Sequence, residues 1–283
     1  MELTDLKIFL TVADERNVSK SAVILGYVQS NITNRIKKLE TELGSPLFYR
    51  HPKGVTLTDK GEIFYDHAAS IMKRAEEAIA AVQESEDFSG TLSIGMVETL
   101  ASHKFMSILS DFQQNYANVS LSLNTGTSPK LLEQVQKYQL DAAFVTGEVK
   151  ATNVSVEYTI EDIVSVITSK SKQEEDYSRN WVVFPEGCPF RKTLNQWMER
   201  RGMKPINFIE VTTLDTLLNC VKSGLASAVL PMSVISEDQK NEYSMTLLPV
   251  EHRYMNTHLV RPKDLSMNKV LSSFIEKIQQ NEL

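Results

Sequence analysis

Little in this chain invites covalent or metal chemistry. Its two cysteines, Cys188 and Cys220, are too few and too widely spaced for a disulfide framework, and neither has the close Cys or His neighbour of a zinc site. The five histidines, His51, His67, His103, His252 and His258, are scattered, so neither a metal nor a cofactor is expected. Gly-x-Ser-x-Gly, His-Glu-x-x-His, the P-loop and Gly-x-Gly-x-x-Gly are all missing, which leaves the common hydrolase, metalloprotease, nucleoside-triphosphatase and dinucleotide chemistries without a starting point. No apolar run approaches the roughly 18 residues of a membrane span. Met1-Glu2-Leu3-Thr4-Asp5 lacks the basic and apolar stretches of a secretory leader. The expectation is a cytoplasmic protein that is not an enzyme and touches no membrane.

What is present is ordinary in amount and uneven in placement. Two hundred and eighty-three residues, 42% hydrophobic and 23% charged, suit two globular domains. The net charge of −6 speaks against a phosphate-rich partner until it is resolved along the chain. Between positions 20 and 60 there are seven basic residues (Lys20, Arg35, Lys37, Lys38, Arg50, Lys53 and Lys60) against three acidic ones. Between 61 and 87 the balance reverses, with two basic residues against seven acidic ones. A small basic head on an acidic body is one reading, and chance fluctuation of surface charge is the other.

Hydrophobic periodicity favours the first. Leu6, Phe9, Leu10 and Ala13 recur at helical spacing and predict a helix over 4–15. Ser19 is placed to cap a short second helix through 25, and Gly26 to end it. Ile32, Ile36, Leu39 and Leu43 form the stripe of a third helix over 28–43, closed by Gly44. Three helices with a glycine turn between the last two are a helix-turn-helix. The extended runs at 46–50 and 55–58, with His51-Pro52-Lys53-Gly54 between them, predict a two-stranded wing. Thr58 can then cap a long helix over 59–86. Its residues Phe64, Ala68, Ile71, Ala75, Ile79 and Val82 step at nearly the heptad period, as in a seam for a partner helix, although packing on its own domain would use the same stripe.

Beyond a break at 87–90 the period changes. Alternating or apolar runs at 92–96, 119–123, 141–145, 164–168, 181–184 and 226–230 predict strands, and 99–116, 129–138, 191–201 and 214–223 predict helices. Strands alternating with helices imply α/β units on a mostly parallel sheet.

The first third resembles the LysR-type transcriptional regulators. The residues that carry the likeness are Leu6 and Phe9, Ser19-Lys20-Ser21-Ala22 and Leu25, Gln29 through Leu43, Leu47-Phe48-Tyr49-Arg50, and Gly54-Val55-Thr56-Leu57-Thr58-Asp59-Lys60-Gly61. Gly90-Thr91-Leu92-Ser93-Ile94-Gly95, Leu140-Asp141-Ala142-Ala143 and Gly224-Leu225-Ala226 extend it more loosely along the chain. The resemblance implies an α+β multidomain fold: a winged helix-turn-helix over 1–58, a linker or dimerisation helix over 59–87, and an effector domain over 90–283. That domain would be a two-lobed α/β structure of the type 2 periplasmic-binding-protein kind, with lobes of 90–161 plus 256–283 and of 162–255. The function implied is sequence-specific transcriptional regulation, with double-stranded DNA, a small-molecule effector, further copies of the chain in a homodimer or homotetramer, and RNA polymerase as partners.

For DNA, the expected contacts are Ser19, Lys20, Gln29, Ser30, Asn31, Thr33, Asn34, Arg35, Arg50 and Lys53. Amide side chains can pair with adenine and Arg with guanine, while Thr33, Arg50 and Lys53 suit phosphates. The family usually has Ser before the Gln and Arg after the Ser of this helix, where this chain has Val28 and Asn34. For the effector, ligands of open α/β sheets lie at the carboxyl ends of strands, against helix N-termini. Thr99, Ser102, Thr127, Ser128, Thr146, Pro185, Cys188, Thr212 and Thr213 are the candidates, and their hydroxyls suit a small anionic metabolite. Cys188 reads either as a small wall residue or as a thiol activated by Arg191. The rival to a regulator is a metabolite-binding protein or enzyme whose N-terminal helices are only an oligomerisation arm.

Overall fold

A computed structural model describes residues 1–82, 90–100, 103–170, 180–203 and 207–281. The chain forms two compact units, Met1–Ser85 with Lys137–Gln139, and Glu86–Gln136 with Leu140–Leu283.

In the first unit, α1 (Leu3–Glu15), α2 (Val18–Leu25) and α3 (Gln29–Leu43) precede a hairpin of β1 (Phe48–His51) and β2 (Gly54–Leu57), followed by α4 (Asp59–Val82). Gly26 and Gly44 stop their helices in the left-handed conformation, with φ of 70° and 64°. The cap of α2 is Asn17, whose Oδ1 accepts the Lys20 amide at 3.0 Å; Ser19, expected to cap, lies one residue inside the helix. The core gathers Leu6, Phe9 and Val12 of α1, Ile32, Ile36 and Leu39 of α3, and Leu47, Phe48 and Val55 of the wing, around Ala68 of α4. Phe9 is fully buried between Phe48 and Phe64, with ring centroids 5.2 and 5.0 Å away. A head of this size buries too little alone. Phe64, Tyr65 and Met72 of α4 therefore complete its core. This corrects the expected partner seam at its start, because Phe64 and Ala68 are turned onto the helix's own head. Ile71, Ile79 and Val82 remain exposed, and the expected extension to 86 falls outside the described residues.

Glycine is required where the wing meets α1: a Cβ on Gly54, at φ 137°, would lie 2.2 Å from the Arg16 carbonyl oxygen, which already accepts the Val55 amide. Thr58 joins the wing to α4. Its hydroxyl donates to the Pro46 carbonyl at 2.8 Å and accepts the Gly61 amide at 2.9 Å.

The second unit runs β3 (Gly90–Met96), a 3-10 turn (Glu98–Leu100), α5 (His103–Asn115), β4 (Val119–Thr125), α6 (Ser128–Gln136), β5 (Ala142–Thr146), β6 (Val154–Ser169), β7 (Asn180–Val183), α7 (Pro189–Arg200), β8 (Asn207–Glu210), α8 (Leu214–Lys222), β9 (Ala228–Pro231), β10 (Tyr243–Leu247), α9 (Val250–Arg253), β11 (Tyr254–Pro262) and α10 (Lys269–Gln280). The sheet order is β10-β6-β11-β5-β3-β4, with β9 also on β6. β3 is parallel to β4 and β5, as expected, but β11 runs antiparallel between β5 and β6.

β6 belongs to two halves of the unit. Residues 154–163 pair with β11, and residues 164–169 pair with β9 and β10. Each half is a sheet covered on both faces. α5 and α10 close Leu92, Ile94 and Phe144 on one side of the first, and Leu131 and Val135 of α6 close the other. In the second, α8 packs against Ile167 and Leu230, and α7 against Val164, Val166 and Val229. Burial on both faces explains why all of 164–167, Ser165 included, are buried without the in-out alternation of an open sheet. The expected helix over 99–116 is instead a 3-10 turn followed by α5, with residues 101 and 102 outside the described residues.

Candidate functional site

Two places concentrate side chains with chemistry to offer. The first is the start of α3. Glycine at the α2–α3 turn brings the two helix N-termini together, and the Ser19 hydroxyl donates to Gln29 Oε1 at 3.0 Å. Ser19, Lys20, Gln29, Ser30, Asn31 and Asn34 are exposed, and Thr33 is half-buried. Among the described residues Ser30, Asn31 and Asn34 have no side-chain partner, whereas Lys20 pairs with Glu15 at 2.5 Å. Arg50 is exposed on β1, and Lys53 in the turn after it.

Arg35 stands apart from this row. Its guanidinium lies 2.6 Å from Oδ1 of Asp5 and 3.3 Å from Glu2. Asp5 is 3% exposed, and its other carboxylate oxygen accepts the Glu2 amide at 2.9 Å. Burial pushes the Asp5 carboxyl up, but the Glu2 amide and Arg35 together outweigh it and hold the group below its ordinary value. The guanidinium expected to read base edges thus fastens α3 to α1 in the DNA-free protein. Sequence reasoning had no access to this pair, because its members are thirty residues apart.

The second place is a cavity of about 380 Å³ at the carboxyl ends of β3, β4 and β5, closed from the other half by the segments before α7 and α8. That volume suits a small metabolite. Thr99, Thr127, Ser128, Thr146, Pro185, Cys188 and Thr212 all line it. Two expected members do not join them. Ser102 lies outside the described residues. The Thr213 side chain turns back to cap α8, accepting the Thr216 amide at 3.4 Å, so it is Thr212 that faces the space. Phe184 and Phe190 add apolar wall, and Glu98 and Lys130 add one charge of each sign. Lys130 is legible in sequence, next to the Ser128-Pro129 helix start, whereas Glu98 has no signal of its own.

The hydroxyls differ in what they are free to do. Ser128 Oγ accepts the Thr146 amide at 2.9 Å, and Thr146 Oγ1 is 2.8 Å from Thr257 Oγ1. Thr99 is 8% exposed and lines the cavity. Its place in the cavity wall sets this hydroxyl within reach of whatever the cavity holds. Cys188 precedes Pro189 at the N-terminus of α7. Burial pushes its thiol up, against the opposing effects of the Arg191 and Phe190 amides and the Arg191 charge. Arg191 is engaged elsewhere, 2.6 Å from Glu210. Of the two readings of Cys188, the wall residue is the one these surroundings support. Among the described residues no cluster of His, Cys, Asp and Glu could hold a metal ion, and no helix is long and apolar enough to cross a membrane.

The chain matches two family models, "Bacterial regulatory helix-turn-helix protein, lysR family" over residues 3–62 and "LysR substrate binding domain" over 85–282. It is 36% identical to the HTH-type transcriptional regulator CzcR of Bacillus anthracis, covering 99% of this chain and 98% of that one. It is 33% identical to the HTH-type transcriptional regulator GltR of Bacillus subtilis, covering 99% and 97%. Among solved structures, a full-length OxyR variant from Pseudomonas aeruginosa aligns over 99% of this chain and 95% of its own, with a TM-score of 0.79 at 18% identity. Full-length CbnR, solved with its target DNA, aligns over 99% and 100% with a TM-score of 0.68 at 20% identity.

Proposed function

This chain belongs to the LysR family of DNA-binding transcriptional regulators, which are not enzymes, and from that premise we propose how it reads DNA and answers a metabolite. The head, 1–58, sets the start of α3 in the major groove. Gln29, Ser30, Asn31 and Asn34 meet base edges, while Ser19, Lys20, Thr33, Arg50 and Lys53 meet phosphates. The observation that carries this is the exposed polar row on the first turns of α3, three of whose side chains have no partner within the described residues. The linker segment 59–87, whose described part is α4, pairs with a second copy through Ile71, Ile79 and Val82, the part of the α4 stripe that its own head leaves exposed. The resulting dimer, or a tetramer built from two, works in the cytoplasm beside RNA polymerase.

The effector lies between lobes of 90–161 plus 256–283 and of 162–255, in the cavity beneath Thr99. Its ligand is a small carboxylate-bearing metabolite. Thr99 donates to it, supported by the N-terminus of α6 and by Lys130. Binding there and binding to DNA are coupled, each changing the affinity of the other.

Filter binding tests the DNA reading. Affinity for a selected fragment falls steeply with salt, and Arg50→Ala weakens all sequences about equally while reducing the salt slope by about one. Indifference between selected and random fragments at cellular ionic strength would refute it. Calorimetry against a metabolite panel tests the effector reading. Thr99→Val weakens a carboxylate ligand roughly ten- to a hundred-fold, the worth of one hydrogen bond to a charged group. If only neutral or cationic compounds bind, the assignment of a carboxylate is wrong.

A further inference from the structure

Val28 precedes the first residue of α3 in extended conformation, at φ −77° and ψ 146°, and its side chain accepts nothing. This is the cap position, where Ser, Thr, Asp or Asn stabilises a helix start and Val does not. The side chain is also 68% exposed, so it contributes little to the core of the head. The Asn31 amide turns to the Val28 carbonyl at 3.0 Å, while the Gln29 and Ser30 amides have no acceptor among the described residues. A valine here costs the free protein a cap and offers folding almost nothing in return.

Bound to DNA, the same arrangement becomes favourable. A phosphate oxygen can accept the two open amides, standing in for the missing cap. The valine then faces the groove beside Gln29, Ser30 and Asn31. The C5-methyl of thymine is the apolar group that the major groove presents. We infer that Val28 is a specificity-determining residue whose side chain packs on a thymine methyl in each half-site. The inference rests on the reading of α3 as the groove-facing helix.

The test uses the full chain and DNA selected by it from a random pool. Each thymine of the selected site is replaced in turn by deoxyuridine, which removes only the methyl, and affinity is measured by fluorescence anisotropy. In the unaltered protein one thymine per half-site loses about three- to five-fold on replacement, the worth of one buried methyl-sized group. Val28→Ala and Val28→Ser abolish that sensitivity and leave any other thymine's unchanged. Val28→Ser also raises the melting temperature of the head, which separates a lost contact from a damaged fold. Val23→Ala, altering an 82% exposed valine on α2, keeps the sensitivity and serves as the control. A site that is selected but shows no thymine dependent on Val28 overturns this inference alone. Failure to select any site overturns the DNA reading and this inference with it.

Discussion

At the scale of single residues, charge in the head is used structurally as well as for recognition. Asp5 directs one oxygen to the Glu2 amide and the other to Arg35, and is 3% exposed. Its carboxyl is held below its ordinary value of 3.8, so the folded state binds the proton less tightly than the unfolded state. The stabilisation is therefore complete above that ordinary value and is lost as pH falls through the lower folded one. Thermal melts at pH values on either side of 3.8 should show the head weakening on acidification, with a shallower decline in Asp5→Asn. Arg35→Ala removes the fastener between α1 and α3, so DNA affinity falls for all sequences together. A changed base preference in a selection experiment would return Arg35 to the reading row. Cys188 should alkylate slowly at neutral pH and faster only as pH passes its ordinary thiol value of 9.0, as followed by mass spectrometry.

At the scale of elements, junctions decide more than lengths do. Thr58→Ala leaves the Gly61 amide without its acceptor and should cost about 1–2 kcal/mol in a denaturant melt of the head. Gly54→Ala drives a Cβ against the Arg16 carbonyl, so the wing must lift and DNA affinity should fall with little change in the effector unit. The helices of the head were legible because their stripes and glycine stops are local. The cap of α2 was not, since Asn17 and Ser19 are both competent acceptors and only the folded geometry chooses. β11 escaped the alternation rule: it carries Asn256 and His258, ends at Pro262, and is recognisable as a strand only through partners a hundred residues earlier. Of the seven candidates that line the cavity, Thr99, Thr127, Ser128 and Thr212 were legible because Thr or Ser after a strand end marks a helix start in this architecture. Glu98 was not, because a lone acid in a turn carries no pattern.

At the scale of the whole molecule, the head and the effector unit each depend on a few large anchors. Phe9→Ala removes the ring between Phe48 and Phe64, and a loss of about 3–5 kcal/mol is enough to unfold a head of this size. Circular dichroism should then report lost helix together with lost DNA binding. The sheet of the effector unit has a different vulnerability. β11 is the interior strand that joins β5 to β6, yet it leaves the ribosome after everything else in that sheet. Until it arrives, two strand edges stand bare in a nascent chain whose head already has all its parts. A chain interrupted before Tyr254 is thus expected to carry a competent reader on an aggregation-prone body, which makes β11 a checkpoint on synthesis as much as a part of the effector unit.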